Sequence, residues 1–492
     1  MEDFARRSPP ARRALLHALL DQLHRQEWRD VRDRLNRISF HQDILASLPL
    51  ELAVHIIQYF HLSELYTLRR VSHAWNRLLS TPVAHDVVFR KYTGRHDALR
   101  SNRLSYARQR LRLERGDPVS NVHNHPDWDV PLVPRDYSSG RCVWIEAGTS
   151  LVVLDLRSQG RRSFCTENRD SFVDVRLSES ILAAITARGY CLVWDLSDPS
   201  NDDDASPARF RMPSLNYSSF TVAGVHVAIT TASASASDHF GHGDSVVHWD
   251  LSSQVARTIP LESGMVFLTL NPAADALHTV YLERKRHPPG GPGALFTPSK
   301  DYHLRIATYP FRDVLNPRTS DTLALPAVAD HLDSDGVTMW GSEKGFNNRC
   351  ADIVFSARSQ LQPLQPAERT ADDCLMMVSY DRRVDRFAIH SFDPAQYAAL
   401  IHPDCMVSID NLLYYITNDN GKPRVCISNP DSPCPHRPAK GVDPQLPREP
   451  AGREYSYSTR LALMGDRDFL LLVDENGLKV WRFGEDDPKT DG

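Results

Sequence analysis

A chain of 492 residues is too long for one ordinary hydrophobic core, so two or more domains are expected. Its 41% hydrophobic and 24% charged content is that of a globular protein rather than a disordered one, and no apolar run exceeds five residues, which excludes a membrane-spanning helix. The formal net charge of −5 conceals a division: residues 1–116 hold 21 Lys+Arg against 12 Asp+Glu, whereas the remainder holds 36 against 50. Two modules that meet different partners are expected from this asymmetry.

The first twenty residues are arginine-rich like a targeting sequence, but Glu2 and Asp3 sit at the tip and His17 interrupts the apolar stretch, which argues against a signal or transit peptide. The expected location is therefore cytoplasmic, nuclear or both, where cysteines stay reduced and pack as buried thiols. Apolar residues then recur with helical spacing. Leu15, Leu16, Leu19, Leu20 and Leu23 share one face of a first predicted helix, and Trp28, Val31 and Leu35 one face of a second. In the next predicted helix Pro49 suits the first position, where its missing N–H costs nothing, and Glu51 favours the positive end of the helix dipole. Leu52, Ile56, Tyr59 and Phe60 recur at i, i+4, i+7 and i+8. Ser63 is placed to cap a following helix carrying Leu65, Leu68, Ser72, Trp75 and Leu79, and Thr81-Pro82 to open a further short one. The basic segment from Ala98 to Gly116 reads as a linker helix whose apolar side packs between domains while its arginines stay in water.

Residues 117–140 are rich in Pro, Asp, Asn and Ser and read as a connector. Beyond them, short runs of Val, Ile, Leu, Tyr and Trp alternate with turn-forming segments, which is the strand signal. The segments ending in Leu154-Asp155, Trp194-Asp195 and Trp249-Asp250 repeat one another, and weaker copies begin at His303, Val384, Arg424 and Leu478. Repeats of ~40–45 residues with several strands each are the signature of propeller blades. Seven copies point to seven blades, with six or eight left open because the closing blade cannot be traced. In such a blade Trp194 and Trp249 are packing residues.

The segment from Ile44 to Leu79 resembles an F-box: Leu48-Pro49, Glu51-Leu52, Ile56-Ile57, Glu64-Leu65, Val71-Ser72 and Trp75 follow the family's order and separations, with serine at 72 where cysteine is commoner. The stretch from Glu27 to Leu45 looks like the lead-in of many fungal F-box proteins. The second half resembles a WD-repeat propeller less specifically, since the regular Gly-His dipeptide of those repeats is missing. The resulting organisation is an N-terminal all-α part (lead-in 1–40, F-box 41–92), a helical linker and connector (93–140), an all-β WD-like propeller (141–484) and a tail (485–492).

The resemblance implies a non-catalytic substrate receptor of a Skp–cullin–F-box ubiquitin ligase. Leu48, Pro49, Leu52, Ile56, Leu65, Val71 and Trp75 would bind the Skp-family adaptor, and through it a cullin, while the propeller would hold a protein substrate. A scaffold acting outside any ligase and a propeller enzyme with its site in the central channel are the alternatives. No cofactor, metal, nucleic acid or membrane is expected. His123 and His125, and Cys434 and His436, lack the four ligands of a structural zinc site and read as loop residues, as do His242, Asp244 and Ser245 despite their triad composition. The scattered arginines of the second half (Arg157, Arg161, Arg162, Arg188, Arg257 and Arg305) lead to the expectation that substrate recognition does not depend on phosphorylation.

Overall fold

The computed structural model describes residues 9–37, 44–93, 103–123, 134–166, 168–197, 206–231, 245–261, 265–284, 302–312, 319–324, 337–341, 350–357, 374–381, 386–392, 406–409, 412–419, 422–429, 436–442, 462–474 and 477–484. The chain divides into two compact units, Met1–Lys91 and Tyr92–Gly492.

The first unit is helical: α1 (Pro9–Asp21), α2 (Arg25–Arg37), α3 (Ile44–Ser47), α4 (Leu50–Ile57), α5 (Leu62–Leu68), α6 (His73–Leu79) and α7 (Pro82–Thr93), which runs into the boundary. Its interior is built from Leu45, Ala53, Ile57, Leu62, Leu65, Leu79, Ala84 and Val88. Local chemistry sets the helix ends, in places one residue from expectation. Pro49 is the N-cap of α4 rather than its first residue, and its carbonyl accepts the Ala53 N–H at 3.0 Å. His61, not Ser63, precedes α5, because the Glu64 carboxylate reaches back to the His61 N–H at 2.7 Å. The predicted stripe from Leu65 to Leu79 is two helices: the Ser72 hydroxyl accepts the Trp75 N–H at 3.1 Å and starts α6 afresh. Thr81 opens α7 as anticipated, its hydroxyl accepting the Ala84 N–H at 3.3 Å, although that helix is 12 residues long rather than short.

The second unit begins with α8 (Arg103–Arg115) and continues as strands arranged in four-stranded antiparallel sheets. Seven such sheets are described, spanning 136–165, 172–211, 217–260, 265–324, 337–392, 406–438 and 462–482. In the last of them the third strand, Gly477–Arg482, pairs with Ser120–His123 from the start of the unit, in register Ser120↔Arg482 to His123↔Lys479. This is a β-propeller, closed by pairing the beginning of its chain with its end. The stretch read as a connector thus contributes the outermost strand of the last sheet and, with Asp136–Ser138, the first strand of the first. Polar composition hid both, because one is three residues long and the other four.

Six of the seven repeated segments fall on the third strand of a sheet, and the copy near Val384 falls on a fourth strand, Arg386–Phe392. The repeat has two physical roles. Its aspartate stops the strand by accepting turn amides: Asp155 from Arg157 N–H (2.8 Å), Asp195 from Ser197 N–H (2.8 Å) and Asp250 from Ser252 N–H (3.2 Å). The next residue donates its N–H back to the turn between the first two strands, as in Leu156 to Gly140, Leu196 to Ser180 and Leu251 to Val225. The tryptophan packs on the preceding sheet's outermost strand. Trp194 meets Phe164 at 5.8 Å and Trp249 stacks on Phe210 at 5.4 Å, so both are core residues as the repeat implied. First strands are joined across sheets by buried polar contacts. Asp136 accepts the Leu177 N–H at 2.7 Å, and Arg176 Nε donates to the Phe220 carbonyl at 2.9 Å.

The basic helix α8 belongs to this unit. Leu113 is buried among Tyr414, Ile427, Trp481 and Phe483 of the last two sheets, and its carbonyl accepts the Tyr414 hydroxyl. Gln109 Nε2 donates to the Arg467 carbonyl at 2.9 Å and to Asp468 Oδ1 at 2.8 Å. Arg110 does not stay in water; it is buried and paired with Glu114 at 3.0 Å. The helix ends at Gly116 with φ of +61°, Asp117 N–H returning to the Arg112 carbonyl at 3.0 Å. A Cβ at Gly116 would lie 2.4 Å from Ala439 Cβ, so glycine is required twice over.

Among the described cysteines, Cys142 and Cys191 are buried free thiols as expected, while Cys165 is exposed.

One joint between sheets is proton-sensitive. His226 and His248 of the third sheet stack with ring nitrogens 3.2 Å apart, and Phe311 of the fourth lies against both, at 4.0 and 4.7 Å. Burial, reinforced by the neighbouring His226, lowers the His248 pKa to about 4 from 6.5. The unfolded chain therefore takes up this proton near pH 6.5 and the folded chain only near 4. Stability is complete above pH 6.5 and is lost as pH falls, by up to about 3 kcal/mol. Thermal unfolding followed from pH 7 to 4 should show that loss, and His248→Asn should blunt it; equal slopes in both proteins would assign the acid sensitivity elsewhere.

Candidate functional site

Six of the seven residues nominated for adaptor binding keep exposed or part-exposed side chains. Pro49 is exposed and Leu48 half-buried at the entry to α4. On α4, Ala53 and Ile57 turn inward, while Leu52 is 53% and Ile56 40% exposed; Tyr59, one turn further, is 70% exposed. One apolar helix thus has two uses: small and β-branched residues face the module's core, and a second stripe at i, i+4 and i+7 faces out. His55 sits edge-on to Tyr59 at 6.1 Å and its Nδ1 lies 2.9 Å from Gln58 Nε2, which fixes the polar margin of the stripe. Val71, in the turn before Ser72, is 61% exposed, and Trp75 is half-buried.

Leu65 departs from the expected pattern: at 1% exposure it is interior, so it supports the helices and presents no surface of its own. Sequence reasoning also passed over Leu50, which is exposed, and left Tyr59 out of the nominated set although its spacing from Leu52 and Ile56 carried the signal. Leu50, Leu52 and Ile56, three large apolar side chains open to solvent on one short helix, make this face the candidate docking surface.

Residues 45–90 match the F-box-like family model. The chain carries an F-box-like module. Its matched segment takes in α4, α5, α6 and most of α7, with the exposed stripe near its start. No curated protein sequence matches the chain. Solved structures resemble the propeller part. A chain of the mitotic checkpoint complex shares 11% identity, with 75% of this chain and 96% of that one covered and a TM-score of 0.37. Hydrazine synthase of Kuenenia stuttgartiensis shares 12%, covering 73% and 97% at a TM-score of 0.40. The β-propeller domain of the Trilobed protease from Pyrococcus furiosus, described as having an open velcro topology, shares 10%, covering 75% and 100% at 0.38. These likenesses concern fold alone.

In the propeller, several scattered arginines are engaged internally. Arg157 pairs with Asp468, Arg161 with Glu146 at 2.6 Å and Arg188 with Asp170 at 3.1 Å. Arg257 donates to the Phe311 carbonyl at 2.7 Å, and the Arg305 guanidinium lies 4.3 Å over the Tyr281 ring. Among the described residues no group of three or more His, Cys, Asp or Glu side chains is disposed to hold a metal ion. His123 and His436 lie on strands rather than in loops, and His125, Cys434, His242 and Asp244 fall outside the described residues. No described helix is long and apolar enough to cross a membrane.

Proposed function

We propose that this protein is a substrate receptor of a Skp–cullin–F-box ubiquitin ligase: the F-box-like module binds the Skp-family adaptor, and through it a cullin, while the propeller holds a protein substrate. The observation that carries the reading is the outward stripe of Leu52 and Ile56 on α4, continued by Tyr59 just past its end, beside Leu48 and Pro49, inside the segment matching the family model. Leu48, Pro49, Leu52, Ile56, Val71 and Trp75 form the proposed contact surface, and Leu65 maintains it from within. The contribution to chemistry is positional. Holding a substrate lysine near a charged ubiquitin-conjugating enzyme raises its effective concentration, which asks for no catalytic side chain on this chain. A nucleo-cytoplasmic location fits that role.

Ion-paired Arg157, Arg161 and Arg188 support recognition that is independent of substrate phosphorylation, because guanidiniums already bound to carboxylates are poor phosphate forks. Affinity purification of the intact chain should recover adaptor and cullin together with ubiquitin-ligase activity toward bound substrate, and phosphatase treatment should leave the substrate bound. Adaptor without cullin would favour the scaffold reading, and recovery of neither would remove the ligase role.

A further inference from the structure

A cleft of about 360 Å³ opens where the first three sheets meet at their outer strands. Its apolar lining includes Phe164 on the outermost strand of the first sheet, Trp194 on the third strand of the second, and Leu251 in the turn after the third strand of the third. Two charged residues flank this lining. The Arg162 guanidinium lies over Phe164, 5.2 Å from the ring centroid, and Asp195 follows Trp194. The volume is in the lower range of pockets that bury a ligand.

Asp195 is distinctive among the three repeat aspartates. Asp250 engages both carboxylate oxygens, accepting from Ser252 N and Oγ and from Ser253 N, and Asp155 accepts two backbone amides. Asp195 accepts only the Ser197 N–H, through Oδ1; its side chain is exposed, and Oδ2 has no partner among the described residues. The repeat has thus left one carboxylate with acceptor capacity at the edge of an aromatic floor. The surrounding chain is acidic: residues 117–492 hold 50 Asp+Glu against 36 Lys+Arg. An apolar side chain seated beside Leu251, over the edges of Phe164 and Trp194, would place an adjacent cation toward the Asp195 carboxylate, which complements it. Among the described residues the outermost strands Arg161–Cys165 and Ala208–Arg211 each have one edge without a paired strand beside the cleft, suited to an extended backbone.

We propose that this cleft binds a short extended peptide segment in which an aliphatic or aromatic residue adjoins a lysine or arginine, held by Phe164, Trp194 and Leu251 and by the Asp195 carboxylate. The proposal rests on the propeller being the substrate-holding part and names the kind of sequence it takes.

The test is selection of random-sequence displayed peptides on the full-length protein, followed by synthetic peptides measured by fluorescence polarisation. Selected peptides are expected to carry an apolar–basic pair. Leu251→Asp should weaken them at least tenfold. Asp195→Asn keeps the turn acceptor, so it should weaken Lys-containing peptides about three- to tenfold while leaving their Lys→Gln versions unchanged. Thermal unfolding of each variant guards against misfolding, and if Leu251→Asp proves unstable the Asn variant still decides. Selection of acidic or neutral peptides, failure to select any, or binding indifferent to both substitutions would each overturn the proposal. Adaptor capture by the same variants is read in parallel. Its absence with intact peptide binding removes the ligase reading alone, and its presence without peptide binding removes the cleft alone.

Discussion

Leu52→Asp with Ile56→Asp should abolish adaptor capture, by more than about 100-fold, while leaving the thermal unfolding of the free protein nearly unchanged. Both side chains are open to solvent in the free chain, so exchanging them for carboxylates costs the fold little. At an interface each would bury a large aliphatic group worth ~1.5–3 kcal/mol, and a carboxylate left unpaired there adds a desolvation penalty. A 100-fold loss corresponds to ~2.8 kcal/mol, so the pair exceeds it comfortably. Leu65→Ala supplies the contrast. Being fully buried, it should destabilise the F-box-like module by ~2–5 kcal/mol, and adaptor binding should fall only as far as the folded population does. Quantitative pull-down beside calorimetry separates the two classes. Full adaptor binding by the double variant would move the interface off α4.

A fragment beginning at residue 140 should fail to fold cooperatively, whereas one spanning 103–484 should be soluble and predominantly β by circular dichroism. The connector reading places the start of an independent domain near 140, and the strand order corrects this. The shorter fragment lacks Ser120–His123, leaving the Gly477–Arg482 edge unpaired, and Asp136–Ser138, the first strand of the first sheet. It also loses Tyr137 and, with α8, Leu113, both fully buried. Large-to-small changes at single sites of this kind cost ~2–5 kcal/mol, against ~5–15 kcal/mol for the stability of a whole domain. Hydrogen–deuterium exchange of the longer fragment should show protection in 120–123. A two-state unfolding transition from the 140–484 fragment would mean that ring closure contributes little.

Much of this architecture is legible along the chain because its causes are local. Helix spacing from Leu52 to Leu79 and the Thr81-Pro82 opening are each decided by groups three or four residues apart. The Asp that ends three third strands is likewise a turn signal two residues long, which is why the repeat could be read even where tryptophan is absent, as at Leu154-Asp155. The F-box resemblance and the matched segment 45–90 agree for the same reason: a short module carries many constrained positions within one stretch.

What only the tertiary structure decided involves residues far apart in sequence. Whether Leu52 or Leu65 faces water depends on which side of each helix the neighbouring helices cover, and apolar spacing is identical for a core stripe and a docking stripe. A strand of four residues such as Ser120–His123 has almost no periodicity to detect; its partner Gly477–Arg482 lies more than 350 residues away and supplies the backbone hydrogen bonds that make it a strand. Helix α8 looks like a solvated basic linker until Leu113 meets Tyr414 and Arg110 is buried against Glu114. The sequence by itself determined the two modules, the existence and starts of most helices though not the break at Ser72, and the repeated strand-and-turn unit, since short-range sterics and hydrogen bonding suffice for these. Ring closure, the docking of α8 and the sorting of apolar residues into core and surface were left to tertiary structure, because burial and long-range pairing are properties of what the rest of the chain brings alongside.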